Sequence, residues 1–151
     1  MSTAIHRMVE SCRKGTYAAT VARLGSGWVV MGTSQVIKGY CLLLPDPVVP
    51  HLNALPSAQR VQFLQEMAKI GDALLNATHA VRINYAMFGN LEPALHAHIF
   101  PRYSDEPEAL RTQQPWAYDW SQAPQFDSNV HGDLLEAIRH ELFSSTASAP
   151  F

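Results

Sequence analysis

Two rhythms of apolar residues divide the first part of this chain: short unbroken runs on either side, and a three- and four-residue step between them. Between Tyr17 and Leu44, the runs Trp28-Val29-Val30-Met31 and Tyr40-Cys41-Leu42-Leu43-Leu44 predict strands, with Gly25-Ser26-Gly27 as a turn between the first two. Pro45, Pro47 and Pro50 lack the N–H that a central strand needs, so the extended segment should end there and a loop should run to Leu55. From Pro56 to Thr78 the recurrence of Val61, Leu64, Met67, Ala68, Leu74 and Leu75 predicts one long amphipathic helix. Pro56 stands where a first helical turn tolerates proline. Two further strands are expected over Ala80 to Phe88 and Leu95 to Phe100, parted by the polar turn Gly89-Asn90-Leu91-Glu92-Pro93.

Beyond Ser104 the rhythm is lost. Residues Ser104 to Asn129, rich in Pro, Gln, Asp and Trp, read as an irregular arm. Leu134, Leu135, Ile138 and Leu142 then mark a short closing helix from Gly132 to Phe143, and residues 144–151 should fray. Neither a repeat nor a linker interrupts the order, so residues 1–151 are expected to form one domain. Its core should run from about residue 15 to 103, with the arm and closing helix over 104–143. Trp116, Tyr118 and Trp120 are expected to anchor the arm to that core; covering a site or a partner subunit is the alternative.

Composition narrows the function. With 47% hydrophobic and 16% charged residues the chain suits a packed globular fold. A formal charge of -2, with no basic run, argues against nucleic acid as the main partner. No stretch has the length of a membrane span, and Met1 to Glu10 carry polar groups where a secretory leader would be apolar. Cys12 and Cys41 are too few and too far apart for a disulfide framework or a cysteine metal site, so a cytoplasmic location is expected.

The candidate chemistry lies in Leu95-His96-Ala97-His98-Ile99-Phe100-Pro101-Arg102. Alternation along a strand puts His96 and His98 on one face, about 7 Å apart from two rises of about 3.3 Å. Neutral imidazole is a competent nucleophile near neutral pH. A plain polar sheet face and a shared metal ion are the competing readings. The other histidines, His6, His51, His79, His131 and His140, are scattered, and no Asp, Glu or Cys nearby completes a ligand set, so no metal is expected.

The surroundings of the pair resemble the histidine triad family over roughly Val29 to Tyr103. Four pieces occur in the family's order: Gln35 to Pro45, Leu52-Asn53-Ala54-Leu55 with the long helix, Arg82-Ile83-Asn84, and Phe88-Gly89-Asn90 with Leu95 to Arg102. The family motif alternates three histidines with apolar residues, and its middle histidine attacks the α-phosphate of a nucleotide. The resemblance makes His96 that nucleophile and His98 the last histidine. This chain departs from the pattern at Ala94, where the first histidine belongs; at Val48, where many members place a histidine; and near Gly32, where an acid often holds the ribose.

The resemblance implies an α+β fold, an antiparallel sheet with the long helix packed on it, commonly as a homodimer. It also implies a nucleotide hydrolase or nucleotidyl transferase with a covalent nucleotidyl-His96 intermediate. Its substrate would be a small-molecule nucleotide such as a dinucleoside polyphosphate or a phosphoramidate, with no cofactor. A binding protein of the same fold that has lost activity is the alternative. Asn84 and Asn90 are the candidate substrate-binding amides: Asn is disfavoured in mid-strand, and Asn90 lies six residues before His96, where family members carry a phosphate-contacting polar residue. Ordinary turn chemistry accounts for Asn90 equally well.

Overall fold

The structure is a computed structural model that describes residues 2–144. Its centre is a five-stranded antiparallel sheet in the order β1-β2-β3-β5-β4. The strands are β1 (Thr20–Arg23), β2 (Gly27–Met31), β3 (Cys41–Pro45), β4 (Arg82–Ala86) and β5 (Ala97–Arg102). The helices are α1 (Ala4–Arg13), α2 (Ser57–Ala77), the single turn α3 (Glu108–Arg111) and α4 (Ser128–Phe143). The fold class is the expected one, α+β with the long helix on the sheet. The expected fraying falls almost wholly on residues 145–151, outside the described residues.

Strand alternation sorts the sheet into two faces. Val29, Met31, Cys41, Leu43, Ala97 and Ile99 meet Phe63, Ile70 and Leu74 of α2, and Leu135, Ile138 and Leu142 of α4 close the same cluster. Val30, Leu42, Leu44 and Phe100 point the other way and are covered by Ile5, Val9 and Cys12 of α1 and by Tyr118 and Trp120 of the arm. Since Leu42 lies opposite His98 across β3 and β5, His98 belongs to this second face.

Several expectations need correction. The stripe of the long helix is right only in part: Leu74 is fully buried and Met67 packs on the core as expected, but Phe63 and Ile70 complete the stripe, whereas Val61 is 54% and Leu75 40% exposed. The helix carries more apolar residues than one stripe holds, and the one spaced 63-67-70-74 matches the sheet. No element was expected before Tyr17, yet α1 forms there. Thr3 accepts from the His6 N–H while the His6 ring faces the Thr3 N–H, and Ile5, Val9 and Cys12 line its buried side. Histidine stands there in place of the usual Glu or Gln of a capping box, which hides the start signal. The closing helix begins at Ser128, earlier than Gly132, because Asp127 caps it by accepting from the Asn129 N–H. The last strand starts at Ala97, so His96 sits just ahead of the regular ladder.

Among the described residues, no helix is long and apolar enough to cross a membrane.

Candidate active site

His96 is fixed by its own backbone. Its Nδ1 lies 2.7 Å from the Ala94 carbonyl oxygen, which can only accept, so Nδ1 carries a proton and, in the neutral ring, the lone pair falls to Nε2. The Ala94 side chain is fully buried and leaves no polar group at that point. The strand leading to His96 is tied down by the Leu95 N–H, which donates to the Val49 carbonyl at 2.8 Å. The preceding turn is held by Glu92, which accepts from the Ala4 N–H at the start of α1. Gly89 makes that turn possible with φ of +72°, a conformation a side chain would strain.

His96 opens onto a pocket of about 280 Å³ lined by Pro50, His51, Leu52, Asn53, Phe88 and Gly89, among others. That is near the lower end for small-molecule sites, roughly 300 Å³ upward. His51 was among the scattered histidines of the sequence. The proline-rich loop brings it to the site, whereas Val48 packs on the core of the second face.

The ring of His98 lies 4.8 Å from that of His96, edge to face, so the two side chains share a face and lean together. Burial, and secondarily the field of His96, lowers the pKa of His98 to about 4, so its ring is neutral at pH 7. Its Nδ1 faces the Tyr40 hydroxyl at 2.6 Å. Burial pushes the Tyr40 phenol well above its ordinary value; it therefore stays protonated, and we assign it as the donor, leaving the His98 proton on Nε2. His98 also packs against the Tyr40 and Phe100 rings and takes the edge of Trp116 at 5.2 Å. The arm thus does both things considered for it: Trp116 and Trp120 anchor on Phe100, and Trp116 covers His98.

Gly32 and Tyr40 are linked. A Cβ at Gly32 would meet the Tyr40 ring at 2.3 Å, so an acidic residue there would displace the hydrogen-bond partner of His98. Sequence reasoning counted Tyr40 only as strand material. Its parity with Leu42 would have placed it beside His98, had the pairing of β3 with β5 been known.

The two asparagines are not brought to this pocket. Asn84 faces the second side of the sheet, but its Oδ1 accepts from Arg102 Nη1 at 2.7 Å and it lines separate cavities. Asn90 is exposed in the turn after Gly89. Arg102, 6% exposed, is a hub: besides Asn84 it donates to Glu106 and to the Leu110 and Gln113 carbonyls, pinning the arm to β5. Burial alone would push the Glu106 carboxyl up, but hydrogen bonds from Arg102, Tyr118 and the Tyr103 N–H outweigh it and hold the group below the usual carboxylate range. No group of three His, Cys, Asp or Glu side chains is placed to hold a metal ion among the described residues.

The HIT domain family model matches residues 28–105, more than half of the chain. The chain belongs to the histidine triad (HIT) family. Solved structures agree on the fold. A histidine triad protein of Bradyrhizobium japonicum is 24% identical with a TM-score of 0.71, covering 88% of this chain and 96% of its own. A hypothetical histidine triad nucleotide-binding protein of Sulfolobus tokodaii, 13% identical, also has a TM-score of 0.71, with 90% and 91% covered. A zinc-bound histidine triad family protein of Mycobacterium smegmatis, 17% identical with a TM-score of 0.64, covers 87% and 91%. A comparison with curated proteins gives no match. In this histidine triad chain the matched span ends just past β5, so the arm that covers His98 lies outside it.

Proposed function

We propose that this histidine triad protein is a nucleotide hydrolase or nucleotidyl transferase that acts at an α-phosphate through His96. The observation that carries the reading is the 2.7 Å contact between His96 Nδ1 and the Ala94 carbonyl, which keeps a proton on Nδ1 and makes Nε2 the nucleophilic nitrogen at a pocket. In the first step the Nε2 lone pair forms a bond to phosphorus as the bond to the leaving group breaks, and the leaving group departs with that electron pair and takes up a proton. In the second step water attacks phosphorus and gives up a proton to solvent, the P–N bond breaks and the lone pair returns to Nε2. His98, neutral and with its proton on Nε2, serves as a hydrogen-bond donor on the same face. Asn90 contributes at most from the rim.

A second reading has its own support. The buried Ala94 supplies no polar group beside the nucleophile, which suits a protein that binds nucleotides without turning them over.

Rapid quench with an adenosine dinucleotide, followed by mass spectrometry of the protein, separates the two. The expected result is an acid-labile adenylate on the wild-type chain and none on His96→Ala, with nucleotide binding retained. Adduct formation by His96→Ala at the wild-type rate would sink the assignment, and binding with no adduct on the wild type would favour the second reading.

A further inference from the structure

A cavity larger than the His96 pocket lies away from it, where β4, the end of β5 and the arm meet. Its volume is about 540 Å³, and its lining includes Arg82, Asn84, Arg102, Arg111, Thr112 and Gln114. No acidic side chain lines it, although the chain as a whole has more acidic than basic residues. Arg102 is neutralised by Glu106. Among the described residues, neither Arg82 nor Arg111 forms an ion pair; Arg111 reaches only the Ser104 carbonyl.

The remaining groups also suit an anion. A guanidinium can only donate, so Arg102 holds the Asn84 Oδ1 and leaves Nδ2 as the remaining donor of an amide that lines the cavity. The Leu110 and Gln113 carbonyls, whose partial negative charge would repel an anion, are already taken by Arg102. The same two bonds hold the wall carrying Arg111 and Thr112 in place.

We propose that this cavity is a second, anion-binding site that takes a phosphate group between Arg82 and Arg111. Asn84 and Gln114 also line a neighbouring cavity that extends to Phe88 and Trp116, the first of which borders the His96 pocket. The route from the reacting centre can be measured along the sheet: Ala86 is opposite His98 and Arg82 opposite Arg102, four strand rises away, about 13 Å. Phosphate can therefore arrive from two sources, the far end of an elongated nucleotide bound at His96 or a separate phosphorylated molecule. The first source rests on the function proposed above, whereas the site itself does not.

The test uses tripolyphosphate and the full chain carrying His96→Ala, so that it succeeds or fails independently of catalysis. Titration followed by amide NMR should move the Asn84 side-chain and Thr112 backbone signals, with an affinity that falls as salt is raised. Adding Arg82→Gln and Arg111→Gln should weaken that binding about tenfold or more, since two charge-assisted donors are lost, with circular dichroism unchanged. Unmoved Asn84 and Thr112 signals, or equal affinity in the doubly substituted protein, would overturn the proposal. On an otherwise wild-type chain, a drop in kcat/KM for a dinucleoside tetraphosphate but not for a short phosphoramidate assigns the site to the leaving group. Loss of tripolyphosphate binding with both rates unchanged assigns it to a separate ligand.

Discussion

The two faces of the sheet are built from the same strands and do different work. The face toward α2 and α4 is packed mainly by apolar side chains, and Phe63, Ile70, Leu74 and Ile99 in its cluster are fully buried. The opposite face alternates apolar packing with polar groups held in fixed partnerships: His98 with Tyr40, Arg102 with Glu106 and Asn84. The first face contributes stability that many apolar sequences could supply. The second depends on pairs, so losing one member leaves a buried polar group without a partner.

The difference can be broken from either side. Phe63→Ala removes a fully buried ring and should destabilise the fold by about 4 kcal/mol, read by urea unfolding, while folded protein keeps the chemistry proposed at His96. A comparable loss in adduct rate per folded molecule would mean that the faces are not separable. Glu106→Ala strands the guanidinium of Arg102, side chain 7% exposed, and should cost about 3 kcal/mol. Unlike Phe63→Ala it should also release the arm, seen as rapid protease cleavage between residues 104 and 127 under native conditions. Protection unchanged there would show that Trp116 and Trp120 hold the arm unaided.

A pH scan sharpens the comparison further. Native His98 takes up its proton only near pH 4, whereas the unfolded chain does so near 6.5, so between these values the unfolded state binds more protons. The stability contributed by neutral His98 is therefore complete above pH 6.5 and is lost as pH falls toward 4, by at most about 3 kcal/mol. His98→Gln should flatten that part of the calorimetric profile, and an unchanged slope would assign it to other groups. The smallest effect is expected from Tyr40→Phe, which removes one hydrogen bond and keeps the ring stack, at about 1 kcal/mol. Its signature is an upward shift in the His98 titration, or a mixture of its tautomers, read by NMR. Neither change would mean that Tyr40 acts only by packing.

Much of this was legible in the sequence, because strand alternation and the His-x-His spacing are local properties of the chain. They put His96 and His98 on one face, and the run from Pro56 to Thr78 predicted α2 to within a residue at each end. The face α2 buries was not legible: a helix with more apolar residues than one stripe can hold is oriented only by what it packs against. The same limit hid the site's other members. His51, Tyr40 and Trp116 are 45, 56 and 20 residues from His96 or from each other's elements in no periodic way, and they meet the histidines only once β3 pairs with β5 and Arg102 pins the arm. Asn84 shows the reverse case: its mid-strand place marked it as a substrate-binding amide, and the fold turns its Oδ1 to Arg102 instead of to the His96 pocket. The sequence alone determined which side chains could do chemistry, since that follows from residue type and local spacing. Only the tertiary structure decided which of them share a site, because hydrogen-bond partners, burial and the resulting pKa of His98 arise between segments far apart along the chain.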